Sequence, residues 1–491
     1  MPRTGLAAIA CLAAAAILGG CTMGPDYVRP ASPISPHFKE AKGWKIVDPR
    51  DALDRGEWWA VYRDPQLASL LSQVEISNQT VKQELEAYHN AFALIREAQA
   101  SYFPTVTTSY TATDQHQGTS NLSSGSLVGR TSTFATYNPV ANATWDLDVW
   151  GRIRRQVESQ SAAAQVSAAD LQNAKLSEQA ALATAYFDLR AEDSLKVLLA
   201  QDVVTFQQTL DITRNQYKAG FSVTSGDVAA AAALVDSTRA TLIATGVSRA
   251  QFEHDIAVLM GRPPAELAIS PGALARKIPN IPVTVPSLLL ERRPDIAAAE
   301  RQMQEENALI GAAVANFYPD ISLTGSFGYL GTTPLPITAA AETWSVAGAA
   351  TQTIFDGGLR AADLAAARAT YAQNVASYRQ TVLTAFQQVE DELAAVRITA
   401  KELVAQEQAV KNEGIAVQVY LNQFKAGTIA FTTVLTAEQT QLTDQINALQ
   451  TRQSLFIASV ALIEALGGGW DASRLPNLTG LSKVPTFTPP L

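Results

Sequence analysis

The stretch Asn215-Gln216-Tyr217-Lys218-Ala219-Gly220 returns about 207 residues later as Asn422-Gln423-Phe424-Lys425-Ala426-Gly427. Each copy closes a long run of helix-forming residues, and each ends on a glycine, the residue type that takes the left-handed backbone needed after a helix. One punctuation mark at the end of two long runs means one structural unit written twice. The repeat sets the frame for reading the rest of the 491 residues.

Upstream of the first copy, Arg152 to Lys218 contains no proline and no internal glycine. As one helix this run of roughly 65 residues would be about 100 Å long. Leu176, Ala180, Ala183, Phe187, Ala191, Leu195 and Leu198 step by three or four and make a seam. Past Gly220 a turn over Phe221 to Ser225 leads to a return helix from about Asp227 to Met260, stopped by Gly261-Arg262-Pro263-Pro264. An earlier helix opens at Asp64-Pro65, an acidic N-cap followed by proline, and runs to about Ser101 before Pro104. Stacked end to end, the return helix and this earlier helix match the long one, which predicts a coil of one continuous and one broken member.

The second half repeats the order. Ala93-Leu94-Ile95 before Pro104 corresponds to Ala308-Leu309-Ile310 before Pro319. A stricter seam follows: Val382, Phe386, Val389, Leu393, Val396, Ala400 and Leu403 alternate steps of four and three. This helix ends at Gly427, returns from about Thr432 and stops at Gly467-Gly468-Gly469.

Between the helices the period becomes two. Val106, Thr108, Tyr110 and Ala112 alternate with hydroxylated residues, and Ala141, Ala143, Trp145 and Leu147 alternate with Asn142, Thr144, Asp146 and Asp148. A loop rich in Gly, Ser and Thr, roughly Gln115 to Ser132, joins them. In the second half Ile321, Leu323, Phe327 and Tyr329 alternate with Ser322, Thr324, Ser326 and Gly328, and the repeat predicts a partner strand over about Trp344 to Phe355. One hairpin alone fits either a soluble core or a lipid and water pair of faces.

The chain opens on Arg3, an apolar run from Leu6 to Leu18, and Leu18-Gly19-Gly20-Cys21, a secretory signal that also fits lipidation of Cys21. The run is too short to span a bilayer. Cys11 would leave with the signal, so the mature chain could form no disulfide. Net charge is −9 without a basic block, which argues against a nucleic-acid partner. His37, His89, His116 and His254 are scattered, and Glu390-Asp391-Glu392 reads as a solvated helix face. No catalytic constellation, metal site or cofactor motif stands out.

Four strands per chain cannot close a membrane barrel, so oligomerisation is required: three chains give twelve. The chain resembles the TolC-like outer-membrane efflux proteins, in particular the lipid-anchored members that serve resistance-nodulation-division (RND) pumps. The resemblance rests on Cys21-Thr22-Met23-Gly24-Pro25-Asp26-Tyr27, Trp58-Trp59 before Asp64-Pro65, and Asp146-Leu147-Asp148-Val149-Trp150-Gly151-Arg152. It rests equally on Glu291-Arg292-Arg293-Pro294-Asp295-Ile296, Asn316-Phe317-Tyr318-Pro319, Ile354-Phe355-Asp356-Gly357-Gly358 and the two Lys-Ala-Gly tips. It implies a mixed, mostly α fold: a homotrimer with a twelve-stranded outer-membrane barrel continued by a periplasmic α-helical coiled-coil tunnel. An inner-membrane RND pump and a periplasmic adaptor are its implied partners, besides outer-membrane lipid. The adaptor would dock on the tips: Gln216, Tyr217, Lys218, Ala219, Gly220 and Ser222 in the first, and Gln423, Phe424, Lys425, Ala426, Gly427 and Thr428 in the second.

In that family carboxylates just past the second tip narrow the tunnel. Here those positions are Thr433 and Thr436, which leaves Asp227, after the first tip, as the carboxylate gate candidate beside a plain helix-capping role. The expected organisation is a signal over 1–20, a lipidated segment over 21–64, repeats over 65–264 and 286–470, a connector over 265–285 and a tail over 471–491. The expected role is a passive efflux conduit for drugs and small toxic compounds, with no enzymatic activity. A protein-secretion duct is the alternative, and a periplasmic scaffold would not need the strands.

Overall fold

The computed structural model describes residues 22–32, 37–40, 57–117, 132–279, 281 and 292–483. The signal and Cys21, most of the hairpin loop, part of the middle connector with Glu291, and the end of the tail lie outside the described residues. Among the described residues both halves run helix, two strands, long helix and return helix, and the first half carries one further helix at its start. The first holds α1 (Pro65–Ser77), α2 (Gln79–Ala100), β1 (Thr105–Gln117), β2 (Ser132–Leu147), α3 (Arg152–Lys218) and α4 (Ser225–Leu259). The second holds α5 (Pro294–Ala315), β3 (Asp320–Tyr329), β4 (Glu342–Thr351), α6 (Leu359–Lys425) and α7 (Phe431–Ala465). Counterparts agree in length: 22 residues in α2 and α5, 67 in α3 and α6, 35 in α4 and α7. The mostly α fold with four strands per chain is thus the one expected.

Each strand-to-helix junction is built the same way. Gly151 and Gly358 sit at positive φ, 79° and 95°, just before α3 and α6. Asp148 accepts the N–H groups of Ile153 and Arg154, both at 2.9 Å, and pairs with the Arg154 guanidinium at 3.1 Å. Asp356 accepts from Gly358 at 2.9 Å and pairs with Arg360 at 2.5 Å. An acidic group over free N–H groups suits the positive end of a helix.

The broken member of the coil forms as the arithmetic predicted, with one correction. Instead of a single helix from Pro65 to about Ser101, the chain breaks at Asn78, whose ψ is 133°. Its Oδ1 accepts from Val81 N at 3.0 Å, and its Nδ2 donates to Glu178 at 2.9 Å and to the Leu259 carbonyl at 2.7 Å. Asparagine competes with helix by making such local bonds, so it ends α1 and starts α2. The end of α4 therefore abuts the start of α2. In the second half Arg293 Nη1 donates to the Ala465 carbonyl at 3.0 Å, joining α7 to α5.

In the first seam Leu176, Ala180, Ala183, Phe187 and Ala191 are buried, whereas Leu195 and Leu198 are half-buried and Leu199 is fully buried in their place. In the second, Val382, Val389, Leu393, Val396 and Leu403 are buried. The largest apolar cluster lies midway along the helices, where Trp58, Trp59, Leu67 and Leu71 pack on Leu182, Tyr186, Phe187 and Phe456. Tyr62 lies 5.0 Å from Phe187, which lies 4.8 Å from Phe456, ring centre to ring centre. Each such side chain contributes about 1.5–3 kcal/mol by leaving water, so the Trp58-Trp59 segment clamps both repeats together.

Residues 22–32 run as extended chain across α3, α5 and α6. Met23 N donates to the Trp150 carbonyl at 3.1 Å, Asn307 Nδ2 to the Pro25 carbonyl at 2.9 Å, and Arg29 Nη2 to Tyr378 at 3.1 Å. A Cβ on Gly24 would stand 2.4 Å from Gly311 Cα, so two backbones touch there.

Candidate functional site: the sheet faces and the hairpin tips

The four strands form one antiparallel sheet in the order β1-β2-β3-β4, so the second strand of the first hairpin pairs with the first strand of the second. The register carries the period-two pattern across all of them. Thr107, Asn142, Ser326 and Ser345 stand in one row, with the Ser326 and Ser345 hydroxyls 2.8 Å apart. The next row, Val106, Ala143, Gly325 and Val346, points to the other face. Ala141, Phe327 and Trp344 share that second face, as do Trp145 and Leu323. A slip of one residue in any pair would mix the faces. The sheet is thus mainly apolar on one side and mainly hydroxylated on the other, over strands of 10 to 16 residues, long enough to cross a hydrocarbon core.

β4 ends at Thr351, short of the Phe355 expected from the repeat, and Ile354 and Phe355 continue beyond it almost fully exposed. At this end of the sheet Trp145 Nε1 donates to the Tyr102 carbonyl at 2.9 Å, and Trp150 Nε1 to the Pro319 carbonyl at 2.9 Å. Trp150 also stacks on Tyr318 with ring centres 4.8 Å apart. Tryptophan and tyrosine with an apolar body and an anchored polar end are the residues of a membrane–water boundary.

At the far end of the long helices, the two tips share one geometry. Gly220 and Gly427 both have φ of 75°. Phe221 N donates to the Gln216 carbonyl at 3.1 Å, and Thr428 N to the Gln423 carbonyl at 3.0 Å. These bonds satisfy carbonyls that the end of a helix would otherwise leave unpaired.

The side chains, in contrast, differ between tips. Tyr217, Lys218, Ala219 and Ser222 are exposed, and Phe221 is 60% exposed. Gln423, Lys425, Ala426 and Thr428 are exposed as well. Phe424, however, is 2% exposed, packed on Phe431 in a cluster with Phe206, Leu210, Leu234 and Val434. Its expected place among the docking side chains is therefore corrected: the ring serves the interior of the tip. Gln216 is half-buried and donates from Nε2 to the Phe424 carbonyl at 3.1 Å, tying one tip to the other, a bond with no signal in the sequence.

Asp227 completes a capping box at the start of α4. Its Oδ2 accepts from Thr224 N and Thr224 Oγ1, both at 2.8 Å, and its own N–H donates to Thr224 Oγ1 at 3.2 Å. Thr433 and Thr436 are exposed on α7, and the Thr436 hydroxyl donates back to the Thr432 carbonyl at 2.9 Å. No cluster of potential metal ligands occurs among the described residues.

Comparison with known families matches residues 70–262 and, separately, residues 285–468 to one description, outer membrane efflux protein. The chain belongs to the outer membrane efflux protein family. The double match coincides with the two repeats. Among relatives, the chain is 30% identical to outer membrane protein OprJ of Pseudomonas aeruginosa over 95% of its length and 96% of the relative's. It is 29% identical to the toluene efflux pump outer membrane protein TtgC of Pseudomonas putida, over 92% and 94%. Of solved structures, the outer-membrane channel OprN superposes with a TM-score of 0.85 at 29% identity, covering 92% of this chain and 100% of that one. Location and role follow from family membership: this efflux protein is an outer-membrane channel of a tripartite pump. Members of the family are channels, and the protein-secretion alternative is not favoured.

Proposed function

We propose that three copies of the chain close their sheets into one twelve-stranded barrel and their helices into one tunnel, through which drugs and small toxic compounds leave passively. The observation that carries this reading is the sheet itself. It has four strands, free edges at β1 and β4, and one face that is mainly apolar. Lipid offers no hydrogen bonds to a free edge, so neighbouring copies must pair with both. Exposed Val197, Val204, Ile243 and Val247 on the helices are covered in the same assembly.

The adaptor docks on the tips through Tyr217, Lys218, Phe221, Lys425 and Thr428, the side chains that the turns leave outward, and the pump acts through it. Thr433 and Thr436 line the constriction with hydroxyls, which attract cations less than carboxylates would. Cys21 carries the lipid: Thr22 and Met23 lie against Gly151 and Trp150, beside the aromatic boundary, so an acyl chain attached at Cys21 reaches the bilayer.

The test is drug resistance in a host lacking its own channel of this kind, with Tyr217→Glu and Lys425→Glu introduced together. Resistance should be lost while the amount of oligomer in the outer membrane is unchanged. Full resistance in the double variant would refute docking at the tips. Copurification of the tagged chain from its host should bring down an adaptor and a pump.

A further inference from the structure

The seam between the repeats, where α3 faces α7, carries a carboxylate at each of three levels. Ser177 donates to Glu464 at 3.1 Å, Gln453 to Asp188 at 2.7 Å, and Thr209 to Glu438 at 2.6 Å. The level nearest the tips differs from the others in its burial. Glu438 is 1% exposed, and no cation pairs with it among the described residues. On α3, two turns from Thr209, Asp202 has a buried Oδ2 that meets no donor among the described residues. The groups of α3 that act on Glu438 are Thr209 and Asp202. Asp202 is the one charged group acting on Glu438 among the described residues, and Leu234 and Val235 of α4 and Phe424 of α6 belong to the apolar cluster that holds Val434 of α7.

An ionised carboxylate in that position lacks both water and a counter-charge, and a second one beside it makes matters worse. We propose that Asp202 and Glu438 form a protonation latch on the seam between the repeats: a neutral Glu438 keeps the tip end of α7 packed on α3, and two charged carboxylates release it. The latch deepens the tube reading, because α7 carries exposed Thr433 and Thr436 next to the buried Glu438.

The direction of the effect follows from the chemistry. Burial pushes Glu438 up to about 7, with the charge of Asp202 adding to it and the Thr209 bond opposing it, and burial pushes Asp202 up to about 6. A carboxyl raised in the folded state favours the packed seam fully below its ordinary value of 4.5, and that contribution is lost as pH rises through about 7. The seam is tight in acid and loose in mild alkali.

Hydrogen exchange on the full chain in detergent, corrected for the intrinsic pH dependence of exchange, reads this directly in peptides covering 431–445. The expected result is a loss of protection of roughly tenfold between pH 5 and pH 8 in the unaltered chain. Glu438→Gln, which keeps an acceptor for Thr209 but cannot titrate, should show a smaller loss between the two values, the remainder being that of Asp202. Asp202→Asn should keep the pH dependence with a lower midpoint. Equal protection at pH 5 and pH 8 in the unaltered chain overturns the latch, as does an undiminished pH dependence in Glu438→Gln. Should Glu438→Gln not fold, the Asp202→Asn midpoint decides: a downward move supports the latch and an unmoved one overturns it. Planar-bilayer recordings on the same samples test the tube separately, since absence of channels at both pH values refutes the tube while the exchange data still decide the latch.

Discussion

Asn78 donates from Nδ2 to the carbonyl oxygen of Leu259 at 2.7 Å, across 181 residues of sequence. The same side chain caps α2 through Val81 and meets Glu178 on α3, so one amide holds three helices in register. Asn78 is 3% exposed, and Asn78→Ala removes its bonds to Val81, Glu178 and Leu259 at once. The expected loss is about 2–4 kcal/mol, from an N-cap and buried hydrogen bonds together. Thermal unfolding followed by circular dichroism checks it, with Asn78→Asp expected to keep the cap but lose the bond to Leu259.

The tips depend on backbone that only glycine adopts easily. Gly220 and Gly427 have open space around a would-be Cβ, so the obstacle to a side chain is the positive φ of 75° alone. Gly220→Val combined with Gly427→Val should strain each turn by about 1–2 kcal/mol and abolish transport while oligomers remain in the outer membrane. Gly246 offers the contrast, since it lies inside α4 with nothing within 4 Å of a Cβ and no positive φ. Gly246→Ala should leave transport intact and raise stability by about 1 kcal/mol. Resistance assays and membrane fractionation separate the two cases.

Asp227 is committed to Thr224 on both sides of its capping box. Asp227→Ala should cost about 0.5–2 kcal/mol and leave the cation preference of single channels unchanged. A shift in reversal potential under a salt gradient would place Asp227 in the gate as well as in the cap.

Arg155 is almost wholly buried and binds the N-terminal segment from below. It donates to the Met23 carbonyl at 3.1 Å and pairs with Asp26 at 3.0 Å and Glu158 at 2.8 Å. Arg155→Met, which keeps the packing against Gly311 and removes the bonds, should free residues 22–32 to cleavage by an added protease before the helices are touched. Fragment masses after timed digestion show whether that order holds.

The long helices were legible because nothing interrupts them. Arg152 to Lys218 contains no proline, its end carries Lys-Ala-Gly, and the structure places α3 on those residues. The strands of the first hairpin were legible because a half-buried strand alternates strictly. β4 was legible only through the repeat, since Val346, Ala347, Gly348, Ala349 and Ala350 carry almost no contrast between faces, and its end at Thr351 is set by pairing with Asp320. The break at Asn78 also escaped, because the apolar period runs on past it and the deciding partners, Leu259 and Glu178, are remote in sequence.

At the tips the sequence determined the turns. Gly220 and Gly427, each closing an Asn-Gln-aromatic-Lys-Ala-Gly run, fixed both positions and one shared geometry, since backbone strain is a local property of the residue. It could not separate Tyr217 from Phe424, two aromatic rings in matching motifs. Only the packing of α6 against α7 and α3 turns Phe424 inward onto Phe431 and leaves Tyr217 outward. The same holds for Glu438 and Asp202: each is an ordinary acid on a helix in the sequence, and their burial exists only because the repeats fold against each other.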